Sequence, residues 1–471
     1  MRKKSPNRRD FLRTTLASAA GLTAAAGGGY SLLDPLRVLA AEENVPVGFQ
    51  PKDHYFVFYN FPGGWDSLLS WDPRDPAVFT PATMGETGIY PAYERLLTTP
   101  SHGIFVDSVL GKLGGFVGDL RLKKYTDKMC IIRGINMETL AHEAGFLRFR
   151  CGRMPEGAVP TRDSTDVVMS ALLGGDNLVP NISLGVPSIN NEHASYANPL
   201  VAGSTGGVAN AMKRDNALSA AVENEIQALL KHQAGCAHAA ASTYLTRAAG
   251  TKATVDAMLA SQLSESMDFT ANTEFLQSLR AHYGFTASEL NSVEARTALA
   301  EVALTQHVSR CVSIRAPGVG GGNNYDTHST LEQGPPQMRA YNAIARLMDR
   351  LEAKEYPGNS GDNWLDRTTI VCFSEFTRSP LLEDDAGRGH WLNNVCLLAG
   401  GGFKMNQVIG ASSDIGMAPR PVDFNTGVVV PNGSDILTPD RIMRTFYTML
   451  GYEWDVADLR VDPLPCLLKT G

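Results

Sequence analysis

The sequence predicts an α/β fold, a mostly parallel central sheet flanked by helices with a helical region inserted into it. Three observations carry that reading. Short runs such as Thr368–Phe373 (Thr-Thr-Ile-Val-Cys-Phe) are apolar and β-branched with little polar interruption, which suits strands buried on both faces of a parallel sheet. Long segments between such runs carry apolar residues at helical spacing. Polar residues crowd the end of the 368–373 run, where Ser374, Glu375 and Arg378 arrive together. In open α/β sheets ligands bind outside the carboxyl ends of the strands, so residues 368–390 are where a site is expected.

In chain order, residues 54–61 (His-Tyr-Phe-Val-Phe-Tyr-Asn-Phe) read as the first core strand. The Pro62-Gly63-Gly64-Trp65 turn then delivers Asp66 to the strand end, although Asp in that position is also an ordinary helix N-cap. Residues 71–115, rich in Pro, Gly and Thr, read as a long surface excursion. A second buried strand spans 128–134, and a helix runs from His142 to Arg150. A helix start beside a strand end is the usual place for an anion or a nucleophile, which makes Thr139 and His142 candidates. Residues 181–185 suggest another strand.

Residues 215–315 are Ala-rich with helical spacing (Ile226, Leu229, Leu230; Phe275, Leu279; Leu299, Val302, Ala303) and read as the helical insertion. Its His232, His238, His282 and His307 show no partner pattern and read as surface or packing residues. A glycine-rich lead-in then ends in Asp326-Thr327-His328. In an extended segment residues two apart point to the same side, so Asp326 and His328 can bind one ion. Residues 335–352 form an amphipathic helix on Met338, Tyr341, Ile344, Ala345, Met348 and Leu351. A strand over 394–402 places His390 in the loop between two strands. Thr438 as N-cap and Pro439 at the first helical position open a last helix over 441–450, stopped by Gly451.

The 471 residues, 43% apolar and 19% charged, are ample for a large core. The first forty differ from the rest. Residues 7–13 read Asn-Arg-Arg-Asp-Phe-Leu-Arg, a twin-arginine export pattern, followed by a weakly hydrophobic Ala, Thr and Gly run and an A-x-A-like Val38-Leu39-Ala40. Residues 1–40 are therefore expected to be a signal peptide and 41–471 the mature domain, periplasmic or secreted, with the translocase as a transient partner. The run is too rich in small residues for a membrane span, and no stable span is expected after cleavage. Seven Lys or Arg against two Asp give this segment +5, so the remainder carries −7 − 5 = −12. An acidic surface argues against nucleic acid or anionic membrane as partner. The seven cysteines are dispersed with no CxxC spacing, and Cys372 and Cys396 read as small core residues.

Asp66, Asp326, His328, Glu375 and His390, with His142 as a further candidate for the same set, are all oxygen or imidazole donors expected at strand ends or adjoining loops. Three Asp/His ligands with an open position suit catalytic zinc or manganese. Two further carboxylates could hold a second ion roughly 3.5–4 Å away. Arg378 could grip an anionic group bidentately, or form a structural ion pair with Glu375.

The order Arg-Arg-x-Phe-Leu, Gly-Gly-x-Asp, Tyr-Asp-Thr-His, Ser-Glu-Phe-x-Arg, Gly-His and Leu-Thr-Pro-Asp resembles the domain of unknown function numbered 1501, within the alkaline phosphatase- and sulfatase-like superfamily. The resemblance implies an alkaline phosphatase-like three-layer sandwich with metals at the strand ends. By that analogy Asp326, His328 and His390 would form one metal site, and Asp66 with Glu375 part of another. The chain departs from the family pattern. It has Gly389-His390-Trp391 where Asp-His-Gly is common, and Ala141-His142 where Ser-His is common. Gly-Gly-x-Asp-Gly is Gly-Gly-Trp-Asp-Ser here, and Phe-Gly-Arg is Phe-Thr-Arg. These changes weaken a two-metal site and remove the obvious hydroxyl nucleophile, leaving Thr139 or an activated water.

The expectation is an exported, metal-dependent hydrolase of anionic phosphate or sulfate esters, small or polymeric. Zinc comes first as its ion, with manganese or calcium as alternatives. Asp326, His328 and His390 would hold the ion, and Asp66 and Glu375 a second ion or a water. His142, Thr139 and Arg378 would serve catalysis. The competing expectation is a non-catalytic binding or assembly protein on a degenerate fold of the same kind.

Overall fold

The computed structural model describes residues 52–96, 105–107, 111–113, 120–213 apart from 176 and 194, positions 222, 225 and 228, then 263–319, 324–358, 361–383, 386–453 and 455–469. The expected signal peptide, His232, Cys236, His238 and most of 215–262 lie outside the described residues.

Eight strands form the main sheet: β1 (Tyr55–Asn60), β2 (Met129–Asn136), β3 (Asn181–Leu184), β4 (Leu200–Ala202), β5 (Cys311–Arg315), β6 (Thr368–Phe373), β7 (Asn393–Gly400) and β8 (Gln407–Ile409). Their spatial order is β8-β2-β7-β6-β1-β5-β3-β4. Every neighbouring pair is parallel except those of β7, which runs against both β2 and β6. The fold is thus α/β with a mostly parallel, mixed sheet.

Strand pleating decides what each face buries. In β1, Tyr55, Val57 and Tyr59 enter one apolar cluster and Phe56 and Phe58 the other. The first cluster is closed by α4 (Glu274–Tyr283), α5 (Val293–Thr305) and α6 (Gly334–Glu352), through Leu279, Leu299, Ile344 and Met348 among others. The second is closed by α1 (His142–Cys151), α2 (Thr165–Leu173) and α7 (Pro439–Met449), through Phe149, Met169 and Phe446. The sheet is therefore covered on both faces. A short helix, α3 (Thr205–Ala211), lies near the β4 edge and contributes Val208 to the first cluster.

Two sequence expectations are corrected. Residues 215–315 do not end as helices: their last five form β5, paired with β1 and β3 inside the sheet. The Cys-Val-Ser-Ile-Arg run is too short to disturb the helical pattern ahead of it, and the described helices of that region belong to the core layer. The 71–115 stretch is no simple surface excursion either. Trp71, Asp72 and Arg74 are buried, with Arg74 paired to Asp72 at 2.9 Å. The described cysteines are free and buried, Cys372 and Cys396 fully so. His307 bonds Tyr55 at 2.8 Å and His282 bonds the Arg346 carbonyl at 2.9 Å, both packing roles. Among the described residues no helix is long and apolar enough to cross a membrane.

Candidate metal centre

Four chain segments meet at one rim of the sheet. β1 ends in the Gly63-Gly64 turn, and β6 ends in Ser374-Glu375 followed by a two-residue ladder of Thr377–Arg378 with His390–Trp391. The first turn of α1 carries His142, and the segment before α6 carries Asp326 and His328. Because β7 is antiparallel, the residues just before it lie at the same rim as the residues just after β6.

Close backbone approach brings the segments together. Gly63 has φ +104°, and a Cβ there would lie 2.5 Å from the backbone nitrogens of Tyr325 and Asp326. A Cβ on Gly387 would lie 1.9 Å from the His328 carbonyl oxygen. Only glycine lets the Asp326–His328 segment sit between these two loops. Gln333, buried just ahead of the α6 prolines, holds the segment from behind. Its amide donates to the Tyr325 carbonyl (2.7 Å) and the Thr327 hydroxyl (2.8 Å), while its oxygen accepts the Asp66 N–H.

His142, Asp326 and His390 present ligand atoms all within 4.8 Å of one another. Asp326 Oδ1 lies 3.4 Å from His142 Nε2, 3.5 Å from His390 Nε2 and 3.2 Å from His328 Nε2. The Nε2 atoms of His328 and His390 are 3.1 Å apart. Ligands about 2.1 Å from a tetrahedral zinc are separated by about 3.4 Å, so these four distances are close to the edges of such a shell.

The imidazoles are oriented from behind. His142 Nδ1–H donates to Glu375 Oε1 at 2.8 Å, and His390 Nδ1–H donates to the Leu140 carbonyl at 2.8 Å. Both Nε2 lone pairs therefore face Asp326, and His142 Nε2 has no hydrogen-bond partner among the described residues. This is how metal-binding histidines are commonly held. The hydrogen bond to Glu375 raises the His142 pKa against its burial, and Asp326 adds to the rise. Burial lowers the His390 pKa, only partly offset by the Leu140 carbonyl. Burial alone would raise the Asp326 carboxyl, but the Arg378 guanidinium outweighs it and holds the group below its ordinary value.

Arg378 does not fill either role expected of it. It is 1% exposed, and its nitrogens are engaged by the Gly64 carbonyl (2.9 Å), the Arg388 carbonyl (3.1 Å), the Gly63 carbonyl and Asp326 Oδ1 (2.6 Å). These bonds occupy its guanidinium, and its carboxylate partner among the described residues is Asp326 rather than Glu375. Asp66 likewise stands apart from the cluster. One of its oxygens caps the Ser67–Leu69 turn at Leu68 N–H and the other pairs with Arg388 Nε at 2.8 Å. Glu375 accepts from His142, the Gly63 N–H and the Ser374 hydroxyl. The two carboxylates expected to share a second ion thus have separate, fully committed partners. The Thr139 hydroxyl accepts the Ala141 N–H at 3.2 Å in the turn leading to α1.

Sequence reasoning missed Arg388, Gln333 and the Leu140 carbonyl. None carried a signal, because each acts on a partner distant in sequence or through a backbone atom.

Fold and site together define an α/β protein with a candidate metal centre at one rim of its sheet. The family described as protein of unknown function (DUF1501) matches residues 116–463, and the chain belongs to it. No curated protein matches the chain.

Proposed function

We propose that the protein is an exported hydrolase of phosphate or sulfate esters that uses a single divalent ion held by His142, Asp326 and His390, with His328 as a fourth donor. The observation that carries this reading is the set of separations of 3.1–3.5 Å among those four side chains, which arrive from three separate stretches of chain. Three imidazoles and one carboxylate favour zinc, then manganese; calcium prefers all-oxygen shells. An ion there supplies Lewis-acid polarisation of an ester oxygen. Glu375 keeps the proton on His142 Nδ1, so the lone pair of Nε2 faces inward. The Leu140 carbonyl does the same for His390. Arg378 fixes Asp326 and keeps it ionised. One ion is proposed rather than two, because Asp66 is paired with Arg388.

The sheet covered by helices on both faces, with its site at a strand-end rim, is compatible with the alkaline phosphatase-like sandwich, which together with periplasmic location belongs to this proposal. Elemental analysis tests it: wild-type protein should hold about one zinc or manganese per chain, and Asp326→Ala or His390→Ala should lose it. A second reading, a non-catalytic binding protein on a degenerate fold, is favoured by the two arginines that neutralise Asp326 and Asp66. Metal-free protein that is unchanged in stability by added ion would select it.

A further inference from the structure

The surface beside the metal cluster is apolar, and its apolar residues sit on the segments that hold the histidines. The Met137 N–H donates to the Leu392 carbonyl at 2.9 Å and His390 Nδ1–H to the Leu140 carbonyl at 2.8 Å, so residues 137–140 run beside residues 390–392. Leu140 is 44% exposed and Leu392 42%. Single surface leucines scattered over a protein need no explanation, but these two flank one imidazole of the cluster.

The turn that presents Leu140 is held under strain. Glu138 has φ +60°, a left-handed conformation uncommon for residues other than glycine. Its carboxylate accepts from Arg148 Nε at 2.9 Å and NH2 at 2.6 Å, and its N–H donates to the Asn136 side chain at 3.0 Å. Strain of this kind persists only where surrounding bonds enforce it, and it gathers at sites that hold ligands. Here it holds an exposed leucine beside His390.

The apolar surface continues away from the cluster. Trp391 is half-buried and packs against the small core of Leu68, Phe79, Ile89 and Met417. A Cβ on Gly416 would lie 4.0 Å from its Cζ2, so the loop that carries Ile415, 70% exposed, borders the indole. The buried Phe376 ring lies 4.6 Å from the His390 ring and 4.9 Å from that of His142. The cluster thus has an apolar floor in Phe376 and an apolar flank in the two leucines.

We propose that Leu140, Leu392 and the Trp391–Ile415 surface receive the alcohol portion of the ester, so that the substrates are phosphate or sulfate esters of alkyl or aryl alcohols rather than of sugars. The proposal rests on the metal-centre reading and names the substrate class of that site. An ester anchored at the ion by its anionic group projects its alcohol across the flank of the cluster, and the flank at His390 is leucine on both sides. Full burial of one methylene against such a surface strengthens binding about fourfold.

The test is calorimetric titration of zinc-loaded protein with methyl-, butyl- and hexylphosphonate and with the matching sulfonates, which keep the anionic head but have no ester bond to break. Affinity for the preferred head should rise about two- to fourfold per added methylene. Leu392→Ser and Ile415→Ser replace exposed side chains and should keep the zinc content, while each lowers the hexyl-to-methyl affinity ratio at least about threefold. If one variant fails to fold, the other decides. A flat series in zinc-loaded wild type, or a slope that survives in both variants, overturns the apolar site and leaves the metal reading standing. A flat series with a wild-type dimer in sedimentation velocity that Leu392→Ser dissociates gives the surface to a second copy of the chain instead. Failure of every phosphonate and sulfonate to bind by about 10 mM also overturns the proposal. Protein that holds no zinc, yet shows a chain-length slope that the variants lose, keeps the apolar site and sinks the metal reading.

Discussion

His142 Nδ1 lies 2.8 Å from Glu375 Oε1, which ties the first turn of α1 to the end of β6. The bond fixes the tautomer and aims Nε2 at Asp326. Glu375→Gln keeps the shape but replaces a charged acceptor with a weaker one that can also flip. Zinc affinity should fall about 10- to 100-fold in a chelator competition assay, the usual cost of disturbing such a partner. Unchanged affinity would remove His142 from the ligand set.

Arg378 fastens two loops through the backbone carbonyls of Gly63, Gly64 and Arg388, and a third by pairing with Asp326. Arg378→Met leaves those carbonyls buried without donors and Asp326 without its counter-ion. The expected loss is roughly 3 kcal/mol or more, read as a lower urea midpoint. A small change would mean that water replaces the guanidinium easily and that the loops do not depend on it.

Gly387→Ala separates packing from ligation. The added methyl would stand 1.9 Å from the His328 carbonyl oxygen, so the two loops must part. Stability should drop by about 1–3 kcal/mol. Zinc affinity should fall at the same time, although no ligand has been altered. Retained affinity would show that His328 is dispensable to the shell.

Away from the site, His54 makes stability depend on pH. The residue is buried, donates from Nε2 to the Thr369 hydroxyl at 2.8 Å, and that hydroxyl donates to the Gly401 carbonyl at 2.8 Å. Burial, with the charge of Arg367 adding, lowers its pKa from 6.5 to about 3. The folded state therefore resists a proton that the unfolded chain accepts. Its contribution is fully present above about pH 6.5 and is lost as pH falls towards about 3, by roughly 5 kcal/mol at the acid end. His54→Gln should flatten that part of a stability-versus-pH curve measured by urea unfolding; an unaltered slope would assign the acid sensitivity elsewhere.

Much of the frame was legible from residue pattern alone. The Thr368–Phe373 strand falls where its β-branched run placed it, and the Gly334–Glu352 helix begins one residue before the expected 335. The pairing of Asp326 with His328 followed from their two-residue spacing. What stayed hidden depended on tertiary partners. Asp66 read equally well as cap or ligand, and only Arg388, far along the chain, decides for the cap. β5 was absorbed into its helical surroundings because five residues cannot outweigh a long Ala-rich stretch. His142 stands in the sequence only as a further candidate donor and a catalytic residue, since nothing there announces that α1 starts over Glu375.

The reversed direction of β7 has a consequence for how stiffly His390 is held. A ligand placed after a parallel strand usually hangs on a connection leading to a distant helix. His390 instead precedes its strand by three positions and is gripped on the other side by Arg378 in the short ladder. It therefore inherits the rigidity of a strand with neighbours on both sides, and an arriving ion would find that imidazole already in place, with little ordering left to do.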